Sequence, residues 1–257
     1  MIFFSYGLPK SASSFVYRIT HSAFESRSKS DGGKVHLLEN LFEGFPKTNL
    51  AEKALAEGFK IEAPNPRDVD KFASYLDELY IRLQEKLDAN SGDAIVIKTH
   101  LPCSPLVAEA IKNGEVLASA TYRHPAEMIL SRMDMAKRLG ETLNYDLKKF
   151  YLNEVNKFNT WSKVTQVRTY YYDDIALRPQ EVANDIYHHV GSQDDPSSFL
   201  DEFLITIKET KLSQFNKGVI NRHAQEMSEA EITEIELLFS DFMRYIKKHK
   251  SINGEPA

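Results

Sequence analysis

Short runs rich in isoleucine, valine and aromatic residues alternate along this 257-residue chain with longer stretches whose apolar positions recur at helical spacing. An apolar run from Phe3 passes into small hydroxylated residues and one lysine. Phe15, Val16, Ile19 and Ala23 follow, and their spacing predicts a helix over 13–26. The Asp31-Gly32-Gly33 turn makes 26–34 a connector. Ala94-Ile95-Val96-Ile97 has the unbroken apolar character of a buried parallel strand, and two further strands are predicted from Val116 and over 166–172. Helices are predicted over 69–87, 104–113, 125–138, 146–164, 179–190 and 198–208, the second stopped by Gly114. Ser228 and Glu231 form a capping box that opens a last helix running to about 248. The segment 35–66 reads as irregular apart from a short helix over 49–57, and 251–257 as a disordered tail. Strands alternating with helices predict an α/β fold, a three-layer α/β/α arrangement around a central parallel sheet that forms one domain over 1–250. Such sheets hold their ligand at the C-terminal ends of the strands.

Composition narrows the function. With 42% hydrophobic residues a chain of this length can bury a core. A net charge of −5 and an isoelectric point near 5.9 argue against a dedicated nucleic-acid binder, which carries a basic excess. No run approaches the roughly twenty apolar residues of a membrane span, and no signal peptide is read at the N-terminus. Cys103 is the one cysteine, so no intramolecular disulfide forms, which suits a reducing cytoplasm. It reads as a buried inert thiol, although its place beside His100 leaves sensitivity to alkylation open.

The chemistry is concentrated where strands end. Gly7-Leu8-Pro9-Lys10-Ser11-Ala12-Ser13-Ser14-Phe15 places one lysine and three hydroxyls at a strand-to-helix turn, where unpaired N–H groups and the helix dipole favour an anion. The lysine precedes the hydroxyls, so this is not a Walker A loop, in which it follows two glycines. Lys98-Thr99-His100-Leu101-Pro102 closes the second apolar strand; alone, His100 reads as a hydrogen-bonded structural histidine. Arg123 closes the third, eight positions before Ser131; alone, it reads equally as a salt-bridge partner.

Taken together, these motifs resemble those of the sulfotransferases that use 3′-phosphoadenosine-5′-phosphosulfate (PAPS), with their P-loop-like fold. The cradle is similar to the family's P-K-S-G-T-T-W loop, with Ala12 in place of glycine and Phe15 in place of the tryptophan beside the adenine. Alanine suits that position only with negative φ. K-T-H-L-P matches the cytosolic members letter for letter. Asn216-Lys217-Gly218, with Asn221 and Arg222, partly resembles the R-K-G-x-x-G loop over the 3′-phosphate; Arg222 reads as a substitute for the missing arginine or as an incidental base. Tyr172 matches the tyrosine of a Y-E-D strand end, near the adenine or simply packed, and Asp173-Asp174 fits a helix N-cap better than a metal site.

The resemblance implies in-line sulfuryl transfer to a hydroxyl or amine, leaving 3′,5′-adenosine bisphosphate (PAP), with no metal. His100 takes the acceptor proton, Lys10 stabilises the leaving oxygen and Lys98 lies by the sulfuryl oxygens. Ser11, Ser13 and Ser14 with the cradle amides hold the 5′-phosphate; Arg123, Ser131, Lys217 and Gly218 hold the 3′-phosphate. The acceptor, whether a small metabolite, lipid, sugar or peptide, is expected against 35–66 and part of 146–161, with Phe42, Phe45 and Trp161 either lining an apolar cavity or in the core. Two rivals stand beside this reading. A P-loop small-molecule kinase is distinguished by the lysine order and a Walker B-type aspartate, and a non-catalytic nucleotide binder by having no need of a base.

Overall fold

The computed structural model describes residues 1–36, 69–87, 92–210 and 219–250. Phe42, Phe45, the helix expected over 49–57, Asn216, Lys217, Gly218 and the tail lie outside them. Five strands, β1 (Ile2–Gly7), β2 (Val35–His36), β3 (Ala94–Thr99), β4 (Val116–Tyr122) and β5 (Arg168–Tyr171), form one sheet in the order β2-β3-β1-β4-β5, with every neighbouring pair parallel. Helices cover both faces, as the alternation of elements predicts.

The alternation of side chains along each strand divides the core in two. Phe4 and Tyr6 of β1, with Ile95 and Ile97 of β3, point to one face and meet α2 (Val69–Lys86), α3 (Pro105–Lys112), α4 (Pro125–Leu139), α5 (Leu147–Ser162) and the C-terminal α11 (Ser240–Lys250). Phe3 and Val96 point the other way, onto α1 (Ser13–Asp31), α7 (Pro179–His189) and α8 (Ser197–Thr210). Trp161, expected in a cavity or the core, is fully buried in the first cluster. It stacks on Tyr6 with ring centroids 5.5 Å apart, and its Nε1 donates to the Leu101 carbonyl at 2.9 Å.

Three expected elements change their bounds, and short helices appear outside the predicted ones. Helix α1 continues five residues beyond 26 to Asp31, because Arg27 pairs with Asp31 at 3.0 Å and donates to the Val190 carbonyl at 2.8 Å; Gly32, at φ 76°, caps it. Strand β5 stops at Tyr171, and Tyr172 begins a short helix, α6 (Tyr172–Leu177). A one-turn helix, α9 (His223–Glu226), follows Arg222. The last predicted helix is two: α10 (Glu229–Leu238), with its Ser228–Glu231 capping box, and α11, joined at Phe239, whose φ of −104° and ψ of 25° bend the path. The bend turns Phe242, Met243 and Ile246 into the core while Leu237 and Leu238 stay exposed.

Candidate active site

The registers bring three strand ends to one place. Tyr6 lies beside Thr99, and Gly7 beside Thr121, so the segments leaving β1, β3 and β4 emerge side by side. These are the cradle, His100 and Arg123, drawn together from positions up to 113 residues apart, as the contact between Arg123 and Lys10 illustrates. Gly7 is required there: a Cβ would lie 2.3 Å from both Ser13 Cβ and Thr121 Oγ1. The helix start therefore packs directly on the strand end.

The cradle is pinned from beneath. The Leu8 amide donates to the Thr121 carbonyl at 3.0 Å. Ser11, expected to offer its hydroxyl to a phosphate, is turned inward and buried; its Oγ lies 2.6 Å from both the Leu8 carbonyl and Thr121 Oγ1. Its side chain fastens the loop to β4. Ala12 corrects another expectation, since its φ is 66°, in the left-handed region rather than at negative φ; Lys10 is left-handed too, at 73°. A left-handed non-glycine residue costs roughly 1–2 kcal/mol, the kind of strain found where a loop is shaped for a ligand. Ala12 caps α1 without a side-chain hydrogen bond, and the first turn carries no acid. Its leading N–H groups are therefore set out for an anion. Ser13 is buried, while Ser14 Oγ accepts from Lys98 Nζ at 2.8 Å, joining two expected residues across 84 positions.

Lys10 is half-buried, and among the described residues its Nζ has one hydrogen-bond partner, the weakly accepting Met135 Sδ at 3.3 Å. Burial, then the charges of Arg138, Arg132, Arg123 and Lys98, push its pKa down to about 8. His100 places Nδ1 2.6 Å from the Gly7 carbonyl. A carbonyl only accepts, so Nδ1 carries the proton and the Nε2 lone pair is the basic one. Burial and then the Lys98 charge push His100 down to about 4, so it is neutral at pH 7. Cys103 is buried, with its pKa pushed up to about 12, which fits the inert-thiol reading.

Arg123 is 2% exposed and donates to Glu127 Oε2 at 2.7 Å and to the Val219 carbonyl at 3.2 Å. Its Cζ lies 3.5 Å from the Tyr172 ring centroid, so that ring face is taken by the guanidinium. Glu127 also accepts from the His223 amide and faces His223 Nδ1, at 2.8 and 2.7 Å. These donors hold its carboxyl below the usual range against the opposing effect of burial. Ser131 is buried one turn beyond Glu127 on the same face of α4. Arg222 differs from the expectation of a phosphate ligand, because its charge is neutralised by Glu226 and Asp134, each at 2.7 Å, tying α9 to α4. Phe15 likewise departs from an adenine-stacking role: it is 4% exposed and packs on Phe203, ring centroids 5.5 Å apart. Glu127 has no role in the sequence reading; its spacing of four residues to both Arg123 and Ser131 was the available signal.

The residues fit a doubly anionic nucleotide. The uncapped helix start, a lysine resting on a thioether, and an Arg123 Nε that is buried with no hydrogen-bond partner among the described residues all present unanswered donors. No family model matches the chain, and no curated protein sequence does. Solved structures do. A retinol dehydratase in complex with androsterone and the inactive cofactor PAP superposes with a TM-score of 0.56 at 13% identity, over 93% of this chain and 80% of that one. Mouse sulfotransferase SULT7A1 complexed with PAP gives 0.55 at 13%, over 95% and 84%. A retinol dehydratase complex with retinol and PAP gives 0.54 at 14%, over 100% and 83%. The chain has the fold of these PAP-binding proteins, the PAPS-dependent sulfotransferase fold. Among the described residues no helix is long and apolar enough to cross a membrane.

Proposed function

We propose that this protein transfers a sulfuryl group from PAPS to a hydroxyl or amine of its acceptor. The observation that carries the reading is the convergence of Lys10, Lys98 and His100 on one cradle at the ends of β1 and β3, in a fold whose solved relatives hold PAP. PAPS, when bound, supplies an activated sulfuryl group and a stable leaving nucleotide.

The chain's own residues do the rest. The amides of Ser13 and Ser14, with the Ser14 hydroxyl, hold the 5′-phosphate, and Arg123 and Ser131 hold the 3′-phosphate, completed by Lys217 and Gly218. His100 Nε2 accepts the acceptor proton, its ring oriented by the Nδ1–H bond to Gly7. A pKa pushed down to about 4, by burial first and then by the Lys98 charge, makes it a weak base in the free protein. A bound anion offsets the Lys98 charge, the second cause after burial, and so restores part of its basicity. Lys10 meets the negative charge that grows on the leaving oxygen.

Calorimetric titration with PAP, against ATP with magnesium and 5′-AMP, tests the reading. Micromolar or tighter binding of PAP alone is expected. Preference for ATP with magnesium overturns it in favour of a kinase, and failure of all three shows a fold without the nucleotide site.

A further inference from the structure

Strands β4 and β5 do not start together. Ser119 pairs with Arg168, so Val116, Leu117 and Ala118 run past the beginning of β5, the edge of the sheet. Among the described residues no strand lies beside them on that side. The notch opens into a cleft of about 500 Å³ at the opposite end of the strands from the cradle. The seven residues of β4, at ~3.3 Å each, set it roughly 20 Å from Arg123. The end of α3 closes one side through Ile111 and Lys112, and His189, the last residue of α7, closes another.

The lining combines three kinds of surface. Ile111 and Val116 are buried and, with Leu117, make an apolar wall. Lys112 and Arg168 are cations, and no acid lines the cleft among the described residues. Lys112 leans on Glu109 at 3.4 Å, whereas the exposed Arg168 guanidinium has no hydrogen bond or ion pair within the described residues. The third surface is His189, whose Nε2 is buried and has no hydrogen-bond partner in the described residues. Its ring hydrogen-bonds the backbone of Ala118 in the notch, and that bond raises its pKa, as one donated to a carbonyl does. The donor is therefore Nδ1, and the unanswered Nε2 carries the lone pair. Burial, then the Arg168 charge, hold His189 below its ordinary value, so the ring is neutral at pH 7. A buried acceptor without a donor is unfavourable, and a ligand that supplies the donor removes that penalty.

We propose that this cleft binds a small organic acid with an apolar body and an N–H or O–H group. Its carboxylate meets Arg168 and Lys112 at the mouth, its body lies on the apolar wall, and its donor answers His189 Nε2. The site is separate from the cradle, and the inference stands apart from the sulfuryl-transfer reading.

The test titrates the full chain with three probes that carry no hydroxyl or primary amine to be sulfated: indole-3-carboxylate, indole and 1-naphthoate. The first has both polar groups, indole lacks the carboxylate, and naphthoate lacks the N–H. Indole-3-carboxylate is expected to bind about tenfold more tightly than either. Arg168→Gln is expected to remove its lead over indole and His189→Phe its lead over naphthoate, with PAP affinity unchanged in both. Arg168 is exposed, so Arg168→Gln keeps the fold and decides the matter even where His189→Phe does not fold. Equal binding of the three probes, or a lead over indole that survives Arg168→Gln, overturns the inference. Competition between indole-3-carboxylate and PAP also overturns it, by placing the probe in the cradle. A protein that binds the acid as described but not PAP supports this inference and overturns the sulfuryl-transfer reading alone.

Discussion

Lys10 is the group whose protonation most directly reports the site. Its ammonium is half-buried on a thioether, with four cations acting on it, and its pKa is pushed down to about 8. The perturbation to apply is the nucleotide itself, titrated at several pH values. A bound phosphate beside Nζ reverses the Coulombic causes and returns the lysine toward its ordinary value of 10.5. At pH 7 the lysine is about nine-tenths protonated before binding, so PAP takes up roughly 0.1 proton. At pH 8.5 it is about one-quarter protonated, and uptake rises to roughly 0.7.

The sign follows from the direction of the shift. Binding favours the charged form, so affinity is nearly full below about pH 7 and falls as the pH rises through the free-protein value of about 8. Between pH 7 and 8.5 the loss is about fourfold. Calorimetry in two buffers of different ionisation enthalpy reads the proton uptake directly, because the apparent heat then differs by the protons exchanged. Lys10→Met is expected to abolish the uptake and flatten the affinity profile. Uptake that persists unchanged in Lys10→Met, or its absence in the parent at pH 8.5, refutes the argument that Lys10 faces the anion.

Three further expectations follow from the same geometry. His100→Asn is expected to lower turnover by about 10²–10⁴-fold with PAP affinity retained. His100 is held neutral, so its share of stability is complete above about pH 6.5 and lost as the pH falls toward 4; urea unfolding at pH 7.5 and 4.5 should show the variant spared on the order of 2 kcal/mol of the parent's acid loss, and equal losses would remove the buried neutral imidazole. Arg123→Ala leaves the Glu127 carboxylate buried without its guanidinium and is expected to cost about 3–5 kcal/mol, whereas Arg123→Ala with Glu127→Ala costs less; a double variant worse than the single would deny the pair. Ala12→Gly relieves left-handed strain at the expense of unfolded-state entropy, and a rise of about 2 °C in Tm is expected, a fall showing that φ at this position is not positive.

The sequence carried the strand ends that form the site better than its local detail. Apolar runs that break at Gly7, Lys98 and Arg123 announce strand ends, and in a parallel sheet strand ends are where ligands lie. What could not be read was set by contacts between distant positions. The inward turn of Ser11 depends on Thr121, 110 residues away, and the neutralisation of Arg222 depends on Asp134, 88 residues away. The positive φ at Lys10 and Ala12 is imposed by a loop anchored at both ends, against the local preference of either residue. Phe239 was read as mid-helix because propensity favours continuation; the core's demand for Phe242 and Ile246 bends the chain there.

The two ends of the proposed nucleotide site hold charge in opposite ways. At the proposed 3′-phosphate end, the charge of Arg123 is already met by Glu127, which also anchors His223; a phosphate there would add to a formed network and answer the Nε that has no hydrogen-bond partner among the described residues. At the reacting end, Lys10 keeps its charge against a thioether and four like charges, with no carboxylate among its hydrogen-bond partners in the described residues. An interaction that is nearly the same before and during transfer contributes to binding alone, while one that strengthens as charge grows on the leaving oxygen accelerates the step. On the proposed reading, Arg123 is a residue of affinity and Lys10 a residue of rate. Substitution of Arg123 by lysine should raise KM for PAPS with kcat little changed, and loss of Lys10 should depress kcat and kcat/KM together. The neutralised end selects the nucleotide, and the charge left unmet is placed where the reaction generates its opposite.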